Sequence, residues 1–159
     1  MNAGQGGITV RPPRPGDLAA VERIENESFS DPWSSAFLGE ELANDVLRLC
    51  LVAEDADGIC GYIMAWRVAD QLHVLNIATA PALRRRGVGS LLLKEACLRA
   101  WAEGLAEITL EVRRGNSAAR RFYRHKGLQE TGVRPGYYGD NGEDALIMTG
   151  PLEGLLNAR

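Results

Sequence analysis

One junction, over residues 71–104, limits most strongly what this chain can fold into. Gln71 to Thr79 reads as a strand and Pro81 stops it. Ala82-Leu83-Arg84-Arg85-Arg86-Gly87-Val88-Gly89-Ser90 then leads into a helical pattern over Gly87 to Glu103, which Gly104 ends. Gly87 and Gly89 carry no side chain, so a ligand can approach the main chain closely there. The first N–H groups of a helix have no partner inside it, and together with the helix dipole they make a site for phosphate. Arg84, Arg85 and Arg86 would surround such a site with positive charge. On spacing alone the same residues also suit a solvated basic turn, and both readings stand at this point. Two common nucleotide loops are excluded: no lysine follows the second glycine directly, and the glycine spacing is not that of the dinucleotide fingerprint.

The flanking segments supply the rest of a mixed sheet. Ile8 to Pro13 reads as a short strand. Asp17 is placed to cap a helix with Leu18, Val21, Ile24 and Ser28 at helical spacing, broken by Phe29-Ser30-Asp31-Pro32-Trp33. A short helix follows over about Ser34 to Asn44. Arg48 to Glu54 and Ile59 to Val68 pair across Asp55-Ala56-Asp57-Gly58. In the long helix, Val88, Leu91, Leu92, Leu98 and Trp101 are expected on the buried side. Ile108, Leu110 and Val112 alternate against Thr109, Glu111 and Arg113. Asn116 caps a helix through Lys126, with Gly127 just beyond it. Leu128 to Leu152 reads as two strands around Gly139-Asp140-Asn141-Gly142. This order gives an α/β (α+β) fold.

At 159 residues the chain is one ordinary domain, expected over residues 8–152, with tails at 1–7 and 153–159. Met1 to Gly7 has neither the charge nor the apolar core of a signal peptide. No run approaches the roughly 18 apolar residues of a membrane helix, so no membrane partner is expected. A net charge of -3 argues against direct binding of nucleic acid, although the clustering of arginines suggests a local anionic ligand. Cys50, Cys60 and Cys97 lie among apolar residues and are expected as buried thiols in a reducing cytoplasm. His73 and His125 are remote from them and from each other, so no metal site is expected.

Some twenty residues past the glycine loop come Leu110-Glu111-Val112-Arg113 and then Asn116-Ser117-Ala118-Ala119-Arg120-Arg121-Phe122-Tyr123. Here the chain resembles the GNAT acetyltransferase superfamily, with arginine–x–x–glycine–x–glycine at 84–89 and asparagine…tyrosine at 116 and 123. The likeness covers Leu72 to Leu128 by motif and the remainder by element order. A narrower likeness is to the RimI branch, the ribosomal-protein-alanine N-acetyltransferases. It rests on Glu111 in its strand, on Phe29-Ser30-Asp31-Pro32-Trp33-Ser34, and on the ending Arg134-Pro135-Gly136-Tyr137-Tyr138…Glu143-Asp144-Ala145-Leu146-Ile147-Met148. The stretch Ala36 to Asp45 and the 139–142 turn depart from that branch, which leaves peptide selectivity open.

The resemblance implies a mixed, mostly antiparallel sheet of about six or seven strands flanked by about four helices. It implies acetyl-coenzyme A (acetyl-CoA) as co-substrate. Ile77, Ala78 and Thr79 would pair with its pantetheine arm. Arg84, Arg85, Arg86, Gly87, Val88, Gly89 and Ser90 would hold its pyrophosphate, and Asn116 and Tyr123 would also contact it. Glu111 would be the base and Tyr123 the acid for the departing thiolate. Trp33, His73, Tyr137 and Tyr138 would meet the substrate. Residue by residue, plainer roles compete: a surface carboxylate on an edge strand for Glu111, a core aromatic for Tyr123, a structural histidine for His73, and edge-of-core packing for Trp33, Tyr137 and Tyr138.

Acetyl transfer needs a neutral amine. An α-amino group has a pKa of about 8 and lysine about 10.4, so the neutral fraction near neutrality is more than about a hundredfold higher at a protein N-terminus. A modest base suffices for that substrate. The expected path is direct attack in a ternary complex, with a main-chain N–H of 77–79 stabilising the oxyanion. The expected acceptor is the N-terminus of a protein, a ribosomal protein in the branch it resembles. The rivals are an acetyltransferase for lysine side chains or small-molecule amines, and a non-catalytic acyl-CoA-binding module.

Overall fold

The computed structural model describes residues 7–157. Of the expected tails, 1–6 and 158–159 lie outside the described residues. The order is β1 (Thr9–Arg11), α1 (Leu18–Ser28), α2 (Ser35–Glu41), β2 (Arg48–Asp55), β3 (Gly58–Val68), β4 (Gln71–Thr79), α3 (Val88–Ala102), β5 (Glu107–Arg113), α4 (Ser117–His125), β6 (Gln129–Arg134), β7 (Ala145–Pro151) and α5 (Leu152–Asn157). Residues 153–157, expected to begin a tail, thus lie in a helix. No helix among the described residues is long and apolar enough to cross a membrane.

The strands form one seven-stranded sheet in the order β1-β2-β3-β4-β5-β7-β6. The connections of two residues between β2 and β3 and between β3 and β4 leave those neighbours no option but to run antiparallel. β1 pairs antiparallel with β2, and β7 antiparallel with both β5 and β6. The parallel step is β4 to β5, with His73 opposite Thr109, and α3 supplies the crossover that such a step demands. The mixed, mostly antiparallel sheet is as expected, with five α-helices among the described residues rather than about four.

Two compact units emerge, one from the chain up to Ala65 with Asn76–Ala96, the other from Trp66–Leu75 with the chain from Cys97 onward. The core of the first holds Val21, Ile24, Leu38, Cys50, Val52, Tyr62, Met64 and Ala78. In the second, Ile108, Leu110 and Val112 are buried on one face of β5, and Leu110 lies opposite buried Met148 of β7.

Three expectations need correction. On α3 the buried residues are Val88, Leu92, Leu93, Ala96, Cys97 and Ala100, whereas Leu98 is 40% and Trp101 46% exposed, and Leu91 is half-buried. A stripe through 88, 92, 96 and 100 puts position 98 about 140° from its middle around the helix. Small residues form much of that stripe, and ranking by apolar bulk missed it. Replacing Leu98 or Trp101 with serine should therefore change unfolding free energy by no more than about 0.5 kcal/mol. Leu92→Ala should cost about 2–5 kcal/mol in the same urea titration.

Asp17 does not cap α1 with its side chain. Its carboxylate accepts the Arg14 N–H at 2.7 Å and two bonds from Arg11 at 2.8 and 3.0 Å. Ser34 and Asn116 do act as caps, accepting the N–H of Phe37 and Ala119. Finally, β5 lies between β4 and β7, so Glu111 is not on an edge strand.

Candidate active site

The first unit holds the residues expected to meet the coenzyme over 77–90, while Asn116 and Tyr123 lie in the second. The chain leaves β4 through Ile77, Ala78 and Thr79, and the Ala80 N–H donates to the Cys60 carbonyl at 2.8 Å. Arg84 closes the following loop: its Nε donates to the Thr79 carbonyl at 3.1 Å and its Nη2 to Ser28 Oγ at 2.9 Å. Arg84 therefore fastens the loop, while Arg85 and Arg86 are exposed. Arg85 has φ 66° and Gly87 φ 82°. The left-handed region costs a residue with a Cβ roughly 1–2 kcal/mol, so Arg85 is held there by its surroundings.

The Leu91 N–H donates to the Gly87 carbonyl at 3.0 Å, which makes this the first helical bond at that end of α3. The N–H groups of Val88, Gly89 and Ser90 precede it and have no carbonyl four residues back within the helix. A Cβ built on Gly89 would meet nothing outside its own turn of helix nearer than Thr79 Oγ1 at 3.8 Å, so there is room beside these amides. Open amides, exposed arginines and a helix dipole suit a diphosphate. Gly61, absent from the sequence reading, makes the junction possible. A Cβ there would lie 3.0 Å from both the Ala78 carbonyl oxygen and Val88 Cγ1.

The same unit contains a buried polar cluster that the sequence reading missed. Glu25 on α1 is 1% exposed. Its carboxylate accepts a very short hydrogen bond from the Tyr62 hydroxyl, one from Asn76 Nδ2 at 2.7 Å, and one from the main-chain N–H of Trp33 at 3.0 Å. One side chain thus ties together α1, β3, β4 and the segment leading into α2. The Trp33 ring packs edge-on against Phe37, with centroids 4.7 Å apart, and rests against the core of the unit.

The second unit holds the residues expected to do the acid–base chemistry, Glu111 and Tyr123, and with them His73. His73 Nε2 lies 2.7 Å from Glu111 Oε2, and Arg134 Nε donates to the other carboxylate oxygen at 3.2 Å. Burial alone would raise the pKa of Glu111. The hydrogen bond from His73 and the charges of His73 and Arg134 outweigh it, and the carboxyl ends below its ordinary range. Arg134 was not a candidate from sequence, and His73 was expected beside the substrate rather than on the carboxylate.

Tyr123 is buried on α4, edge-on to Phe122, and burial pushes its hydroxyl far up. Asn116 spends its Oδ1 on the α4 cap. Tyr137 and Tyr138 stack edge-on with centroids 5.1 Å apart, and Arg113 lies over the Tyr138 ring at 3.9 Å. Arg113 also pairs with Asp140 and Glu143, at 2.9 and 3.3 Å, which fixes the 139–143 turn.

The chain as a whole is similar to known proteins. The profile described as "Acetyltransferase (GNAT) family" matches residues 18–128. A "[Ribosomal protein bS18]-alanine N-acetyltransferase" of Salmonella typhimurium is 34% identical over 139 residues, covering 86% of this chain and 92% of that protein. The crystal structure of the ribosomal-protein-S18-alanine N-acetyltransferase from Escherichia coli superposes with a TM-score of 0.84, at 29% identity, over 92% of this chain and 94% of that one. Naa20 of Chaetomium thermophilum, solved with a bisubstrate analogue, gives a TM-score of 0.78 at 29% identity, over 93% of this chain and 88% of that one.

Proposed function

The chain belongs to the acetyltransferase (GNAT) family, and from that premise we propose that it acetylates the N-terminal α-amino group of a ribosomal protein in the cytoplasm. It is an acetyl-CoA-dependent N-acetyltransferase, and the coenzyme supplies the acetyl group as a thioester. In this reading residues 8–152 form one catalytic domain. The amides of Val88, Gly89 and Ser90, with Arg85 and Arg86, bind the pyrophosphate, while Ile77, Ala78 and Thr79 present main-chain groups to the pantetheine arm. Tyr123 supplies a proton to the leaving sulfur. Trp33, Tyr137 and Tyr138 line the path of the substrate peptide.

The observation that carries the choice of amine is the His73–Glu111 pair. A carboxylate and an imidazole are bases weak enough to suit an α-amino group with a pKa of about 8 and poorly matched to lysine at about 10.4. The cytoplasmic assignment is supported by the three cysteines, all free and none in a disulfide.

A peptide library varied at its first residues, incubated with acetyl-CoA and read by mass spectrometry, tests the substrate. Acetylation concentrated on N-terminal α-amines of sequences that begin like a ribosomal protein is the expected result. Modification confined to internal lysines, or to free polyamines added in competition, would overturn it.

A further inference from the structure

We propose that Arg113 is a positioning residue of the acceptor site, whose guanidinium holds the loop 135–144 in the shape that presents Tyr137 and Tyr138 to the substrate peptide. This rests on the reading that those two tyrosines line the path of the peptide. It deepens that reading by naming the side chain on which their placement depends.

The sheet sets the place. Arg113 is the last residue of β5 and lies opposite Ala145, the first of β7. Ala145 in turn lies opposite Arg134, the last of β6. The connection from β6 to β7 therefore starts and finishes at the strand end where Arg113 stands. Arg113 is two residues beyond Glu111 on β5, so the two side chains share a face of the sheet. Burial raises both tyrosine hydroxyls and the Glu111 charge adds to that, so the loop stands within electrostatic reach of this carboxylate. Every residue of the arrangement belongs to the second unit.

One guanidinium grips the loop at several points. Its Nη2 donates to Asp140 Oδ2 at 2.9 Å and its Nη1 to Asp140 Oδ1 at 3.1 Å, a two-pronged pairing. Nη1 also donates to Glu143 Oε1 at 3.3 Å and to Asn141 Oδ1 at 3.4 Å. The flat face lies over the Tyr138 ring, with Cζ 3.9 Å from its centroid. The other oxygen of Glu143 accepts the Gly115 N–H at 2.8 Å, which ties the loop to the segment just after β5. Inside the loop the Tyr138 N–H donates to the Glu143 carbonyl at 3.1 Å, and the Gly142 N–H to the Tyr138 carbonyl at 2.8 Å. Tyr138 is thus fixed between cation and turn, and it holds Tyr137 edge-on. The Tyr137 side is the open one, at 51% exposure. A lone ion pair on the surface would do little. Here the arginine and both acids are largely shielded and share one network.

The forked end of Arg113 and its face are both engaged within the protein, so it acts on the peptide through the loop. A loop already in its binding shape spares the peptide the cost of ordering it. Without the grip, the competent shape is a fraction of the population, and apparent affinity falls by that fraction. Lysine cannot take over the role, because an ammonium offers neither the planar fork that Asp140 accepts nor the flat face that covers Tyr138.

The test uses Arg113→Met, Arg113→Lys, Asp140→Asn and the double variant Arg113→Met/Asp140→Asn, with acetyl-CoA and a peptide that has a free N-terminal alanine. Arg113→Met should raise KM for the peptide about tenfold with kcat within about twofold of wild type, the pattern of lost binding rather than lost chemistry. Calorimetry should give an unchanged dissociation constant for acetyl-CoA. Arg113→Lys should recover little of the loss. The double variant should be no worse than Arg113→Met, because both substitutions break one contact. Hydrogen exchange of the free protein should quicken over 136–143 in Arg113→Met and stay unchanged in β5 and β7, which also shows that the variant folds. A folded Arg113→Met with wild-type KM, a loss confined to kcat, full rescue by lysine, or additive losses in the double variant would each overturn the proposal while N-terminal acetylation stands. Should wild type modify only lysine side chains, the substrate reading fails, and the same comparison of KM with kcat on a lysine peptide still decides the role of Arg113.

Discussion

Gly89→Val should weaken acetyl-CoA binding by about 10- to 100-fold while the protein still folds. The free protein tolerates the side chain, because outside its own turn of helix the nearest atom to a Cβ at 89 is Thr79 Oγ1 at 3.8 Å, an ordinary van der Waals contact. The new methyl groups would occupy the space from which a diphosphate approaches the amides of Val88, Gly89 and Ser90. Hydrogen bonds to a charged group contribute about 1.5–3 kcal/mol each, and losing the equivalent of one gives that range of affinity. Titration calorimetry of the variant with acetyl-CoA measures the effect, and its melting temperature controls for folding. An unchanged dissociation constant would mean that the diphosphate is held elsewhere. Arg84→Ala should act differently, since Arg84 bonds to the Thr79 carbonyl and Ser28. It should loosen the loop through lost packing and hydrogen bonds rather than remove a free charge from its rim.

Glu25→Ala should destabilise the fold by about 3 kcal/mol, the largest stability effect expected for a polar side chain here. The substitution strands the Tyr62 hydroxyl and the Trp33 N–H, and leaves the Asn76 amide only its 3.4 Å bond to the Tyr62 oxygen; all three now donate to one carboxylate. Each unsatisfied buried donor costs about 1–3 kcal/mol, offset in part because the buried carboxylate no longer has to be desolvated. Glu25→Gln keeps one acceptor oxygen and should cost less than half as much. Urea unfolding gives both values. Limited proteolysis should show earlier cleavage between Phe29 and Ser34 in Glu25→Ala, because the Trp33 N–H is the anchor of that segment. Wild-type stability in the alanine variant would show that the cluster is dispensable.

What the sequence revealed and what it concealed divide along the range of the interactions. The β4–loop–α3 junction was legible because its signals are local: proline after a strand, two glycines, and orphan amides at a helix start. The alternation of Ile108, Leu110 and Val112 fixed the face of Glu111 for the same reason. The partners of Glu111 were not legible. His73 and Arg134 lie 38 and 23 residues away in sequence, and only the register of β4 on β5 and of β6 on β7 brings them to it. Glu25 was concealed by its type. It falls on the Val21–Ile24–Ser28 face of α1, and that spacing was the available signal, but a carboxylate on a helix reads as solvated. Leu98 and Trp101 misled in the opposite direction, since bulk and apolarity suggested burial where Ala96, Cys97 and Ala100 in fact form the packed stripe.

The most direct measurement uses two peptides of the same sequence, each beginning with alanine and containing one internal lysine, one with a free α-amine and one with that amine blocked. With labelled acetyl-CoA and purified protein, label should enter the free peptide at its first residue and leave the blocked peptide untouched. Equal labelling of both peptides, at the lysine, would contradict the account.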